Sequence, residues 1–231
     1  MFSGVFLKAP EEQAPQNYCT TVWRCFGRER GPAGPKRAGT RGRGQAFRGK
    51  FFPPKLSLTL ANLDGEKTRV RLAWTENNEP KERWEDARYY HIRVTNARRW
   101  SPARQVQVVL LHVEEPGADG QFVVSWSGDI PVGWRHQQLF PPFRTIGPEA
   151  DVDLCSIVKG KWLQLHPLIV PFNLDVVRRQ PVTLILSLQA RSNECDSAVL
   201  RVQVSWDGQW HDGAQEMRRH LVFKGVDEAA A

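Results

Sequence analysis

Residues 182–206 read VTLILSLQARSNECDSAVLRVQVSW. Val182, Leu184, Leu186 and Leu188 alternate with Thr183, Ser187 and Gln189, and Leu200, Val202, Val204 and Trp206 alternate with Arg201, Gln203 and Ser205. A period of two sends successive side chains to opposite faces of a strand. Both segments therefore read as half-buried strands, with one face packed and the other wet. The same period recurs on either side. Leu56, Leu58 and Leu60 alternate with Ser57 and Thr59, and Val70 and Leu72 with Arg69 and Arg71. Tyr90, Ile92 and Val94 alternate with His91, Arg93 and Thr95, and Val106, Val108 and Leu110 oppose Gln105 and Gln107. Shorter strand candidates are Phe122–Trp126, Val152–Val158, Trp162–Leu165 and Leu221–Phe223.

Turn chemistry stands where the alternation stops, at Asn62–Gly65, Glu115–Gly120, Gly147-Pro148 and Asp207-Gly208. Parallel sheets covered by helices would show continuous apolar strands with amphipathic helices between them, and this chain shows none. The reading is mostly β: an immunoglobulin-like antiparallel β-sandwich with long loops and one short helix near the C-terminus. The helix signal is Asp212 followed three residues later by Gln215, a capping-box pattern, with Arg218 and Arg219 after it.

The sandwich is expected over residues 51–231, with its excess length in loops at Glu76–Arg88, Gly128–Ile146 and Lys159–Gln180. Residues 1–50 read differently. Their stretch 27–50, GRERGPAGPKRAGTRGRGQAFRGK, has almost nothing that could pack and is expected to be disordered. They hold 10 basic and 3 acidic side chains, whereas residues 51–231 hold 22 of each. The net charge of +7 is thus a property of the leader alone, and the body gives no global argument for nucleic acid or anionic membrane. The apolar runs Val106–Leu111 and Leu168–Phe172 are far shorter than the about 20 residues of a spanning helix. With no signal peptide and only four cysteines, the expectation is a cytoplasmic protein with reduced thiols.

Chemistry is sparse. The sequence holds no G-x-S-x-G elbow, P-loop, H-E-x-x-H or G-x-G-x-x-G. Cys19 and Cys25 are too far apart for paired zinc ligands. Cys155 shares its face with Asp151 and Asp153, which puts it on the outer side and away from a bridge to Cys195. The densest set of acid–base or ligand residues is Asp207, His211 and Asp212, which a turn, a loop and a helix cap account for. No catalytic, cofactor or metal site is expected. Nine tryptophans remain. Trp126, Trp162 and Trp206 lie in strands and read as core, and Trp84, Trp100, Trp134 and Trp210 fall in loops or at their edges. Arginine beside tryptophan is enriched at binding hot spots, so Arg99, Trp100, Trp134 and Arg135 form the candidate interaction surface. The opposing reading has these tryptophans plug the sandwich ends with arginine stacked over them. The favoured function is a non-catalytic protein-binding or assembly module. The alternative is a nucleic-acid-associated protein acting through Arg37, Arg41 and Arg43 of the leader.

Residues 90–110, YHIRVTNARRWSPARQVQVVL, resemble the V-x-N-x(5)-A-x-x-V-x-V pattern of bacterial immunoglobulin-like sandwiches of the cell-adhesion-related kind. The matching residues are Val94, Asn96, Ala103, Val106 and Val108. The resemblance implies a strand ending at the Asn, a short loop, and a new strand after the Ala. From Tyr89 to Lys224, the motifs NARRWSPA, VEEPGADGQF, KGKWLQLHPL and SWDGQWHDGAQEMRRHLV resemble a family of uncharacterised bacterial proteins. That resemblance implies no catalytic residues. It implies an N-terminal membrane segment in some relatives, where this chain carries its Gly/Arg-rich leader.

Overall fold

The computed structural model describes residues 52–76, 79–135 and 142–226; the leader 1–50 lies outside them. The strands are β1 (Leu56–Leu60), β2 (Glu66–Glu76), β3 (Glu79–Asn96), β4 (Ala103–Pro116), β5 (Phe122–Pro131), β6 (Arg144–Ile146), β7 (Glu149–Val158), β8 (Trp162–Leu165), β9 (Val177–Arg178), β10 (Val182–Arg191), β11 (Leu200–Trp206) and β12 (Leu221–Gly225). One helix, α1 (Ala214–His220), precedes β12. They form two antiparallel sheets packed as a sandwich. The first runs β1-β3-β7-β8-β9 with β2 also on β3. The second runs β12-β11-β10-β4-β5 with β6 also on β4.

The alternation read from the sequence is the packing. Leu184, Leu186 and Leu188 of β10 meet Val202 and Val204 of β11 in one buried cluster with Val106 and Val108 of β4 and, from the facing sheet, Ile92 and Val94 of β3. Trp126 and Trp206 are buried in it, while Trp162 is half-buried against a satellite cluster of Val70, Leu72, Ala87 and Val158. In the β1–β2 turn, the Gly65 N–H donates to the Asn62 carbonyl at 3.0 Å. Gly65 sits at φ +66°, and an added Cβ would lie 2.7 Å from both Arg88 and Tyr90. Only glycine fits there, since a side chain would face both left-handed strain and a collision.

Four expectations need correction. Glu76–Arg88 is not a loop: β2 and β3 pair from Glu66↔Tyr89 out to Glu76↔Glu79. Its alternation is hidden because the distal pairs are held by charge, with Arg71–Glu82 at 3.2 Å and Lys81–Glu76 at 2.6 Å. Gly128–Ile146 and Lys159–Gln180 are likewise interrupted, by the end of β5 and β6 in the first and by β8 and β9 in the second. Cys155 is inside, not outside. The register slips between Tyr90↔Cys155 and His91↔Asp153, so Leu154 is an extra residue in β7. A bulge of this kind reverses the parity of every residue beyond it. Asp151 and Asp153 face outward, and Cys155 is fully buried, where burial pushes its thiol pKa up. Cys155 and the half-buried Cys195 are both free. Finally, Asp212 does not cap α1; Gly213 holds that position with no side-chain cap bond. The Asp212 carboxylate is taken by Lys67 at 2.8 Å and Lys159 at 2.9 Å, which hold its pKa well below the ordinary carboxylate value.

Candidate functional site

Asn96 ends β3 and its side chain is wholly buried. Its Oδ1 accepts the N–H of Lys55 at 3.2 Å and of Arg98 at 3.0 Å, and its Nδ2 donates to the Ser101 carbonyl at 2.8 Å. The Ser101 N–H donates to the Arg98 carbonyl at 2.8 Å, closing a turn. The Ala97 N–H reaches the Lys55 carbonyl at 2.9 Å, and the Arg98 guanidinium donates to the Pro53 carbonyl at 2.6 Å. This loop, between β3 and β4, is therefore strapped to the residues that lead into β1. At its tip Arg99 is exposed and Trp100 is 50% exposed. Phe52, also exposed, meets Trp100 edge-on with ring centroids 5.7 Å apart.

Trp134 and Arg135 stand elsewhere and do a different job. The chain leaving β5 crosses to the first sheet, where Trp134 bridges to Val152 and the Arg135 N–H donates to the Asp151 carbonyl at 3.0 Å. Trp134 is 3% exposed, its Nε1 donates to the Pro142 carbonyl at 2.8 Å, and the Arg144 guanidinium lies 6.0 Å over its ring. It is a plug with an arginine over it, and not a contact residue. Arg37, Arg41 and Arg43 of the nucleic-acid reading lie outside the described residues.

Arg135 instead joins a polar cluster on the outer face of the first sheet. It pairs with Glu66 on β2, and with Asp151 on β7 at 3.6 Å. Arg93 chelates the Asp151 carboxylate through Nε at 2.9 Å and Nη2 at 3.3 Å. His91, buried between them, has Nδ1 2.9 Å from Asp153 and Nε2 3.3 Å from Glu66. These contacts are close enough for ionic attraction but off the line that a hydrogen bond needs. Beside them the His166 ring lies 2.8 Å through Nε2 from the Ser156 hydroxyl and stacks on Tyr89 at 5.1 Å. Burial pushes the His166 pKa down, so its imidazole is neutral at neutral pH and can accept the serine proton. A serine beside a neutral histidine is the start of a nucleophile, but Ser156 is buried and its geometry serves to pin the His166 segment onto β7. The set Asp207, His211 and Asp212 is not convergent: Asp207 pairs with His220 at 2.8 Å, and Asp212 with the two lysines. Among the described residues, no three His, Cys, Asp or Glu side chains are placed to hold a metal ion.

Asp151 yields a pH prediction. Burial alone would raise its pKa, but the Arg93 hydrogen bond and the charges of Arg93, His91 and Arg135 outweigh this and hold it below the ordinary value. A depressed carboxylate stabilises the fold above the unfolded-state pKa of about 3.9, and that stabilisation is lost as pH falls below it. Asp151→Asn should therefore lower stability by about 1 kcal/mol at pH 7, a modest figure because Arg93 is 41% exposed and solvent-screened. The difference should shrink as pH falls through the carboxylate range and vanish once Asp151 is protonated in the folded state. Thermal midpoints measured from pH 2 to 7 check this, and parallel curves for the two proteins would refute it.

No protein-family model matches the chain, and neither does any curated protein or solved structure. Among the described residues no helix is long and apolar enough to cross a membrane.

Proposed function

We propose that the chain is a non-catalytic protein-interaction module whose contact surface is the sandwich end carrying Phe52, Arg99 and Trp100. One observation carries this reading: a half-exposed tryptophan, braced edge-on by a second exposed aromatic and flanked by arginine, on a loop that Asn96 holds rigid. Tryptophan and arginine are enriched in binding hot spots, tryptophan because its rigid ring buries a large area and arginine because its planar guanidinium stacks and donates several hydrogen bonds. A pre-organised loop also avoids the penalty of ordering on contact. The polar cluster around His91 is tied together by the pairs of Arg93 and Arg135 with Asp151 and Glu66, and we read it as a staple between β2, β3 and β7.

Trp100→Ala should weaken capture of the native partner by about tenfold or more while the thermal midpoint stays put. His211→Ala should leave capture unchanged. A Trp100→Ala protein that is folded and captures its partner as before would sink the reading. If the midpoint falls instead, Trp100 is packing and not contact.

A further inference from the structure

The outer edge of β1 carries a row of backbone groups that the fold leaves open. β1 pairs with β3 alone, in the register Leu56↔Asn96 to Leu60↔Ile92. The Ala97 N–H donates to the Lys55 carbonyl at 2.9 Å and the Ala61 N–H to the His91 carbonyl at 3.0 Å. In an antiparallel ladder such bonded residues alternate with unbonded ones. Lys55, Ser57, Thr59 and Ala61 therefore bond toward β3, and Leu56, Leu58 and Leu60 turn their N–H and C=O groups to the free side. Among the described residues these outward groups have no partner. Yet Leu56 and Leu58 are only 6% and 8% exposed, so little water reaches them in place of one.

A groove of about 420 Å³ runs along this edge, within the size range of binding clefts. Residues 54–58 form one wall, a consecutive run that only the edge of a strand can supply. Cys195, Val199 and Leu200, which lead into β11, form the other. At this end the first sheet stops at β1, which packs on β10, one strand short of β11. Val199 is left 38% exposed beside it.

We propose that residues 16–26 of this chain, QNYCTTVWRCF, dock in this groove as a strand added to β1. The inference does not rest on the contact surface at Trp100. Three observations choose the occupant. The first is the backbone row: alternate N–H and C=O groups on a sheet edge are matched in full by another extended chain. The second is where the described chain begins. Phe52 stands two residues before Pro54, so residues 1–51 are tethered at the mouth of the groove. A tethered segment outcompetes a free peptide of equal fit. The third is composition. Within residues 1–51, the only run longer than five residues without Gly or Pro is 16–26. Strand interiors exclude those two residues, and six of the eleven positions are Tyr, Thr, Val, Trp or Phe, which favour strands. Residues 27–51, rich in Gly, are the tether that lets the segment return.

The test is amide hydrogen exchange on the full chain, read residue by residue by NMR. The N–H groups of Leu56, Leu58 and Leu60 should exchange about tenfold or more slowly than in a Thr20→Pro, Val22→Pro double variant, whose prolines break the added ladder. Ser57 and Thr59, bonded to β3, and Leu186 in the core should be unchanged between the two proteins. Should the double change disturb those controls, Val22→Pro alone carries the comparison. Cys195 is free and lines the groove, so a short bismaleimide should join it to Cys19 or Cys25 within one chain. That product should disappear in the double variant and in Cys195→Ser. Equal exchange at Leu56, Leu58 and Leu60 in the two proteins overturns the proposal. So does the absence of an intrachain cross-link. A cross-link formed only between two chains also overturns it, because the groove then belongs to a second copy.

Discussion

Leu186→Ala should lower folding stability by about 2–5 kcal/mol, close to the limit of what one substitution does in a domain of this kind. Leu186 lies midway along β10, which has a neighbour on each side in the second sheet, with Val202 of β11 opposite on one flank and Val113 of β4 on the other. It is 1% exposed and belongs to the main core cluster. Truncation removes the transfer free energy of its methyl and methylene groups. It also leaves a void that two hydrogen-bonded neighbours prevent from closing. Val202→Ala, across the same pair, should cost about 1–3 kcal/mol, because it deletes less volume. Thr183→Ala and Gln203→Ala, on the opposite face of the same two strands and half-buried, should stay within about 0.5 kcal/mol. Urea midpoints with an unchanged slope make the comparison clean. Equal losses on both faces would mean that the alternation of β10 and β11 does not define the core.

The same alternation explains how much of the fold was legible in the sequence. Where a strand is half buried and its own pairing runs in register, period two survives, as in β1 and β11. It fails where the ladder itself is irregular. The bulge at Leu154 leaves no compositional trace, since Leu154 and Cys155 are both small-to-medium apolar residues, yet it turns Cys155 inward. The distal β2–β3 ribbon fails for another reason. It is flanked by no third strand, so its positions alternate between charged side chains on both faces and carry no apolar signal. The sequence around Asp212 fits a capping box in every local respect. What displaces the cap is Lys67, 145 residues away, and no local pattern contains that.

The candidate site was legible in part for related reasons. Arg99 and Trp100 stand out as an arginine beside a tryptophan in a loop, and they are exposed. Gly133-Trp134-Arg135 carries the same signature but crosses between sheets, so its tryptophan is buried and its arginine is paired. Phe52 was missed because its partner is distant in sequence, and only the strap through Asn96 brings the two rings together. His91 reads as a residue on a polar face, which it is. The carboxylates on either side of it come from β2 and β7, and only the register of the sheet places them.

Asn96→Ala should cost about 3 kcal/mol, although it removes only a small polar side chain. The Asn96 amide serves three backbone groups at once: two N–H donors converge on Oδ1, and Nδ2 satisfies the Ser101 carbonyl. With Asn96 and Ser101 both buried, water cannot replace these bonds without opening the sandwich end. Asn62 supplies the contrast. It makes the same local bond, its Oδ1 accepting the N–H of Asp64 two residues on at 3.2 Å, but in an exposed turn. Asn62→Ala should therefore cost no more than about 0.5 kcal/mol. Chemical denaturation of the two variants separates the worth of the turn bond from the worth of burial. If both variants lose the same small amount, Asn96 is a turn residue and not a keystone, and the rigidity credited to the Trp100 loop goes with it. If Asn96→Ala loses the larger amount, its partner affinity should fall as well, because the loop that presents Trp100 is no longer tied to the start of β1.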